Sequence, residues 1–337
     1  MSNYTISDIA KICGVSKSTV SRVINDKPDG VSEKTKKKIL KVIEELNYRP
    51  SSLARSVATS HSGLIGLIIP DTSSLFYPEI IHGVSTYLSS HGYSMILGDS
   101  QYNPDIEKEL LLTMVDKRVD GVILCSGVSN EEFLKEYRSY NIPLASIGRM
   151  YDNYLCDLSI SGDNVKGARL ATQKLIETGN KRIALLSGHA DVAGTKQRIE
   201  GYKIALNEAG IEFDENLIIN GEYTIESGTK MAEKLIESET KFTAVIGGSD
   251  LIAIGAIRAI KKAGFKIPKD IEVMGFDNIY LSEVFEPSLS TVSKPHHYMA
   301  IEISRKLISL INGKNDIISH FVVEPQIVIR ETTKNLQ

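Results

Sequence analysis

The sequence predicts a small helical head, a linker, and an α/β core of two doubly wound parallel-sheet lobes. Three observations carry that expectation: a helix–turn–helix pattern at the N-terminus, a short proline-led stretch behind it, and a long series of apolar strand-like runs alternating with amphipathic helices. A chain of 337 residues has room for two or three domains. A hydrophobic share of 42% beside 24% charged residues excludes a disordered chain.

Thr5 followed by Asp8 has the spacing of a helix start, with a hydroxyl to cap a backbone N–H and an acid at the positive helix end. Gly14 can end that helix in the left-handed conformation, Val15 gives the turn a buried side chain, and Ser16 is the next N-cap. On the second helix Val20, Val23 and Ile24 form the buried stripe, while Lys17, Ser18, Ser21 and Arg22 share the opposite face. A helix–turn–helix lays such a second helix in the DNA major groove; an ordinary helical hairpin with a solvated face has the same local pattern. A turn-rich loop, residues 26–30, precedes a third helix capped by Ser32, with Ile39, Val42, Ile43 and Leu46 on one face and five lysines around it.

Charge separates this head from the rest. Residues 1–60 hold eleven Lys/Arg against six Asp/Glu, so the head is +5 and the remainder −8, as suits a nucleic-acid module on a body that avoids DNA. Cys13, Cys125 and Cys156 are too scattered for a disulfide framework or a zinc cluster, and the seven histidines lack metal-ligand spacing, so neither metal nor cofactor is expected. No membrane span or signal peptide is recognisable, which predicts a cytoplasmic protein with no membrane partner. Gly-x-x-x-x-Gly-Lys-Ser/Thr, Gly-x-Ser-x-Gly and Gly-x-Gly-x-x-Gly are absent, and no catalytic constellation stands out; an enzyme is not expected.

From Gly63 onward strands are predicted at 64–69, 93–97, 121–124, 144–147, 158–160, 183–186, 217–219, 244–246, 271–274, 289–292 and 326–329, with a helix at 298–311. That is too many for one sheet. Two lobes dividing near Gly162-Asp163 are the natural arrangement: the first about 61–161 and 290–322, the second about 162–289 and 323–333.

Thr-Ile-x-Asp-Ile-Ala, Gly-Val-Ser-x-x-Thr-Val-Ser-Arg-Val, Val-Ser-x-x-Thr, Leu-Asn-Tyr-Arg-Pro and Ala-Arg-Ser follow one another through the first sixty residues. As a set they resemble the headpiece and hinge of the lactose-repressor (LacI/GalR) family, and the resemblance continues to the end of the chain. It implies a DNA-binding headpiece at 1–49, a hinge helix at 50–60, and an effector-binding and dimerisation core at 61–337 with the periplasmic sugar-binding fold. The implied function is a transcriptional regulator, a repressor of carbohydrate genes, whose operator affinity answers to a sugar-like effector in the cleft between lobes. Its implied partners are a second copy of the chain, pseudo-palindromic operator DNA and the effector. A purine-like corepressor or a phosphoprotein coregulator are the alternatives within the family, and a cytosolic sugar binder without regulatory role lies outside it. The hinge, with Leu53, Ala54 and Val57, is too short to be a stable helix alone; Val57 stands where the family has an inserting leucine, and Leu53 one turn back can share that task.

In this frame Lys17, Ser18 and Arg22 are expected to read bases, and Thr5, Ser16, Thr19, Ser21 and Asn25 to hold phosphates. Ligands of open parallel sheets lie beyond the carboxyl ends of the strands. Those ends offer Phe76, Arg149, Arg198, Tyr223, Asp250 and Asp277 as effector contacts, of which Phe76, Arg198 and Asp277 match the family's positions. For Phe76 lobe packing, and for Asp250 helix capping, are open alternatives. Arg149 is either a ligand donor or an ion pair between lobes.

Overall fold

The computed structural model describes residues 4–24, 29–48, 61–125, 130–238, 240–314 and 319–334. Two compact units divide the chain after Gly63. Asn25, Leu53, Ala54 and Val57 lie outside the described residues.

The first unit contains α1 (Ile6–Cys13), α2 (Lys17–Ile24) and α3 (Glu33–Glu45). The Asp8 carboxylate accepts from both the backbone N–H and the hydroxyl of Thr5, at 2.8 and 2.7 Å. Gly14 ends α1 at φ 66°, Ser16 Oγ caps α2 through the Thr19 N–H at 3.1 Å, and Ser32 caps α3. Ile9, Ala10, Cys13, Val20, Val23 and Ile39 make a core that Val42, Ile43 and Leu46 complete at its edge. Each helix contributes one stripe to it, as the apolar spacing demands.

The second unit holds two six-stranded sheets. The first is built from β1 (Leu64–Ile69), β2 (Ser94–Asp99), β3 (Gly121–Leu124), β4 (Leu144–Ile147), β5 (Leu158–Gly162) and β11 (His320–Val323), in the order β11-β5-β4-β3-β1-β2. All its pairings are parallel. The second sheet orders β6 (Ile183–Ser187), β7 (Ile218–Asn220), β8 (Ala244–Gly247), β9 (Glu272–Asp277), β10 (Ser290–Ser293) and β12 (Gln326–Val328) as β12-β10-β9-β8-β6-β7, with only β12 antiparallel. Strands buried on both faces must be apolar throughout, and alternate side chains go to opposite layers. Ile65, Leu67 and Ile69 meet α4 (Pro78–Ser90) and α12 (His296–Ile311), whereas Ile68 meets α5 (Pro104–Asp116) and α6 (Glu131–Tyr137). The second sheet is likewise covered by α7 (Asn164–Glu177) and α8 (Ala193–Glu208) on one face, and by α9 (Ile225–Glu237) and α10 (Asp250–Lys262) on the other.

The chain changes lobe three times: between β5 and α7, between β10 and α12, and between β11 and β12. One lobe boundary needs correction. Residues 290–293, expected in the first lobe, form β10 of the second sheet, pairing with β9 and β12. The apolar core of this segment is shared by Leu289 and Val292, both buried against second-lobe residues, and α12 is the first element beyond the crossing. Strand β11 is not among the expected ones: His320–Val323 is short, half-buried at the sheet edge, and its apolar run is only the three residues Phe321–Val323. The strand expected at 217–219 begins one residue later, after a 3-10 turn at Glu215–Leu217.

Candidate functional site

The polar face of α2 is presented as the sequence predicts. Lys17, Ser18 and Arg22 are exposed while Val20 and Val23 are buried. Ser16, Ser18 and Thr19 share hydroxyl contacts of 2.7 and 2.8 Å at the start of α2, whose first turn carries no acidic side chain. Arg22 Nη1 reaches the Asp29 carbonyl at 3.4 Å, a long hydrogen bond that leaves most of the guanidinium's donors for another partner. Thr5 is exposed at the start of α1, its hydroxyl engaged by Asp8.

In the second unit the carboxyl ends of both sheets open on one cavity between the lobes. Its volume is about 120 Å³, several times what one water needs. The first lobe supplies Phe76, Tyr77, Tyr102 and Arg149 to its wall, and the second supplies Arg198, Tyr223, Asp250 and Asp277. Lys294, from the crossing between β10 and α12, and His296, the first residue of α12, complete it.

Asp277 is the buried centre. Its Oδ1 lies 2.9 Å from Lys294 Nζ and 3.9 Å from both Arg198 Nη2 and His296 Nε2. Burial alone would raise its pKa, but Lys294, Arg198 and His296 together hold it below the usual carboxylate value. His296 is driven the other way, down to about 3, by burial and by Lys294, so its imidazole is neutral. Asp277 and Asn278 both have left-handed backbone, at φ 106° and 56°. Arg330 Nη2 and the Ser293 hydroxyl hold the Asn278 side chain at 2.8 and 3.2 Å, fixing a turn that an L-residue adopts only under constraint.

Arg198 is 8% exposed and lies over the Phe276 ring with its Cζ 4.4 Å from the centroid. Its Nη1 donates to the Gly248 carbonyl at 2.8 Å and to the Tyr223 hydroxyl at 3.3 Å. Tyr223 Oη also contacts Thr195 Oγ1 at 2.6 Å, and its ring sits where a Cβ on Gly188 would come within 2.0 Å. From the other lobe Tyr102, itself at φ 53°, brings its ring to 4.9 Å from His189 and 6.4 Å from Tyr223. Burial raises the Tyr102 phenol well above its ordinary value, so it acts as a neutral hydroxyl. Phe76 packs edge-on to His296 at 4.6 Å and to Tyr77 at 4.9 Å, so it both joins the lobe core and faces the cavity.

Two expectations are corrected by these contacts. Asp250 borders the cavity, but its Oδ2 accepts from the Ile279 N–H (2.8 Å) and the Ser282 hydroxyl (2.7 Å), and its Oδ1 from Thr291 (2.5 Å). It is a fully buried brace for the loop that positions Asp277, and the N-cap of α10 is Ser249. Arg149 pairs with Glu131 of its own lobe at 2.5 Å, so it is not an ion pair between lobes. Lys294, His296 and Tyr102 were missed from sequence. Lys294 and His296 follow the strand predicted at 289–292 and Tyr102 the second strand, but a lysine, a histidine and a tyrosine at such positions carry no motif that marks them as cavity-lining.

The comparisons agree with both units. Residues 5–51 match the family model "Bacterial regulatory proteins, lacI family", and residues 62–330 match "Periplasmic binding proteins and sugar binding domain of LacI family". The chain belongs to the LacI family of transcriptional regulators. The HTH-type transcriptional repressor PurR of Vibrio atlanticus (strain LGP32) is 38% identical to this LacI-family chain over 335 residues, 98% of this chain and 99% of that one. The ribose operon repressor of Halalkalibacterium halodurans is 37% identical, covering 98% and 97%. Among solved structures, the transcriptional regulator CelR–cellobiose complex superimposes with a TM-score of 0.74 at 30% identity, over 98% of this chain and all of that one.

Proposed function

We propose that this LacI-family regulator is a cytoplasmic, non-enzymatic homodimer that represses carbohydrate genes and releases or tightens its grip on a pseudo-palindromic operator when a small sugar-like effector enters the cleft. Lys17, Ser18 and Arg22 read base edges, with Arg22 suited to a bidentate contact with guanine, and Ser16, Thr19 and Ser21 hold phosphates with Thr5. Asn25 is assigned to phosphate, and Leu53, Ala54 and Val57 to the minor groove, on sequence resemblance alone.

One observation carries the effector reading. Arg198 Nε and His296 Nε2 are buried, lack a hydrogen-bond partner among the described residues, and with the Lys294-paired Asp277 belong to residues lining one cavity walled by Phe76, Tyr77, Tyr102 and Tyr223. Buried polar groups without partners are costly, and here a ligand's hydroxyls can satisfy them while its apolar face meets the rings. Arg198, Asp277, Tyr223 and Phe76 are the assigned contacts, with Arg149 at the rim. Asp250 supports the site from behind.

A second reading, a purine-like base, is favoured by the near-parallel Tyr102 and Tyr223 rings, 6.4 Å apart and 20° from parallel, whose faces offer stacking surfaces to a flat ring. The names of relatives fit either reading, one being a ribose operon repressor and another PurR. A thermal-shift screen of sugars and nucleobases separates the two, since a specific ligand at 100 times its Kd adds about 2.7 kcal/mol of stability. The same ligand must change operator binding in a duplex shift assay. If no sugar or base moves either measurement, the effector is a protein.

A further inference from the structure

We propose that the cleft selects an effector bearing an anionic group, a carboxylate or a phosphate ester on a hydroxylated body, with that group seated on Arg198 and the first turn of α8. This rests on the effector-cleft reading and names the chemical class that reading leaves open.

The decisive side chain is Lys294. Its stem crosses over Gly162, where an added Cβ would come within 2.3 Å of Lys294 Cδ, and its ammonium reaches Asn164 Oδ1 at 3.3 Å and Asp277 Oδ1 at 2.9 Å. Asp277 is therefore neutralised by Lys294, a full ångström closer than Arg198. The acceptors left to Arg198 are the uncharged Gly248 carbonyl and Tyr223 hydroxyl, and its Nε has none. Stacking over Phe276 stabilises the guanidinium without cancelling its charge.

The carboxylates nearby do not restore the balance. Asp250 is engaged by three donors and pushed up to about 7, by burial first and then by Asp277. Glu131 is paired with Arg149. Two cations, Arg198 and Lys294, the latter with its pKa lowered by burial, thus face the ionised Asp277 and an Asp250 whose charge burial suppresses. An unpaired buried charge is expensive unless a partner arrives.

The place for that partner is marked by a second, independent feature. Helix α8 begins at Ala193 with no side-chain cap on Val192 and no acid in its first turn. Among the described residues, neither the Ala193 nor the Gly194 backbone N–H donates a hydrogen bond. Val192, Ala193 and Gly194 line the same cavity as Arg198, and a Cβ on Gly194 would stand 3.8 Å from Arg198 Nη2. A guanidinium beside its own helix's open N-terminus is a seat for an anion, while Asp277 and Lys294 remain to take the hydroxyls.

The test is isothermal titration of the full-length protein with matched triples: glucose, gluconate and glucose 6-phosphate; ribose, ribonate and ribose 5-phosphate; galactose, galactonate and galactose 6-phosphate. Within a triple that binds, the acid or the ester is expected to bind at least tenfold tighter than the neutral sugar, and the two anionic arms tell carboxylate from phosphate. Lys294→Gln should free Asp277 to pair with Arg198 and cut that ratio at least tenfold. The wild-type ratio decides the matter even if the variant fails to fold. A neutral sugar that binds as well as both of its anions overturns the anion seat and leaves the effector cleft standing. Silence from every triple and from nucleobases removes the effector reading, and this proposal with it.

Discussion

Replacing Asp250 by alanine and by asparagine should give opposite outcomes, because the carboxylate acts as an acceptor and its charge is a burden. Alanine leaves the Ile279 N–H and the Ser282 and Thr291 hydroxyls without their acceptor in a site with 0% exposure. An orphaned buried donor costs about 1–3 kcal/mol, so three of them, allowing hydroxyls to turn elsewhere, cost about 4 kcal/mol. For a unit of this size that lowers Tm by roughly 10 °C. Asparagine keeps one oxygen for Ile279 and Ser282, and Thr291 can rotate to accept from the amide. The carboxyl is raised from its ordinary 3.8 to about 7, mainly by burial, so the folded state holds this proton more tightly than the unfolded chain. Its contribution to stability is fully present below about pH 4 and is lost as pH rises through 7. Calorimetric melting of the full chain between pH 5 and 8.5 should therefore show Asp250→Asn gaining on the wild type as pH rises, with Asp250→Ala low throughout. A loss under 1 kcal/mol for alanine, or a wild-type-to-asparagine difference independent of pH, would refute the bracing role.

Other outcomes follow from single contacts. Gly188→Ala places a methyl group on the Tyr223 ring and should lower effector affinity at least tenfold while operator binding without effector is unchanged, measured by titration and duplex shift. Gly14→Ala keeps a side chain at φ 66° and should cost the first unit about 1 kcal/mol, read as faster amide exchange across residues 5–24 of the full chain. Arg22→Ala should weaken operator binding by about 1–3 kcal/mol and relax preference at one base pair, in shift assays with single-site operator variants. If Asp277→Ala left effector-dependent operator release intact, the cleft assignment would fail.

Periodicity made most of the fold legible. The inner strands β1, β3 and β4 are legible to the residue because burial on both faces favours apolar side chains: Leu64–Ile69 has no side chain that could belong to a loop, and in β4 only Ser146 interrupts the run. His320–Val323 escaped because an edge strand with one half-exposed face carries a weaker pattern. The polar face of α2 was readable for a similar reason, since Val20 and Val23 fix which way the eight-residue helix turns. For the cleft, reading the ends of strands reached Phe76, Arg198, Tyr223 and Asp277, which do line the cavity. It also swept in Asp250, because position after a strand cannot tell a side chain aimed at ligand from one bonded to the next loop.

What the strand pattern cannot reveal is which strand end is also a crossing between lobes. Lys294 stands between β10 of one lobe and α12 of the other, and Gly162, over which it passes, ends the strand before the first crossing. A residue in that position meets the site's carboxylate and the two linking segments at once. Asn164 and Asp277, at 3.3 and 2.9 Å from Lys294, belong to the second lobe, whereas Gly162 ends β5 of the first, so a change in the angle between lobes would alter the packing of the Lys294 stem on Gly162. Conversely, a ligand that competes for Asp277 or fills the seat at Arg198 changes which lobe arrangement suits Lys294 best. The charge that sets ligand class and the joint that would transmit binding are thus the same side chain. Lys294→Gln should accordingly disturb the two together: selectivity between neutral and anionic ligands, and the size of the operator response per ligand bound.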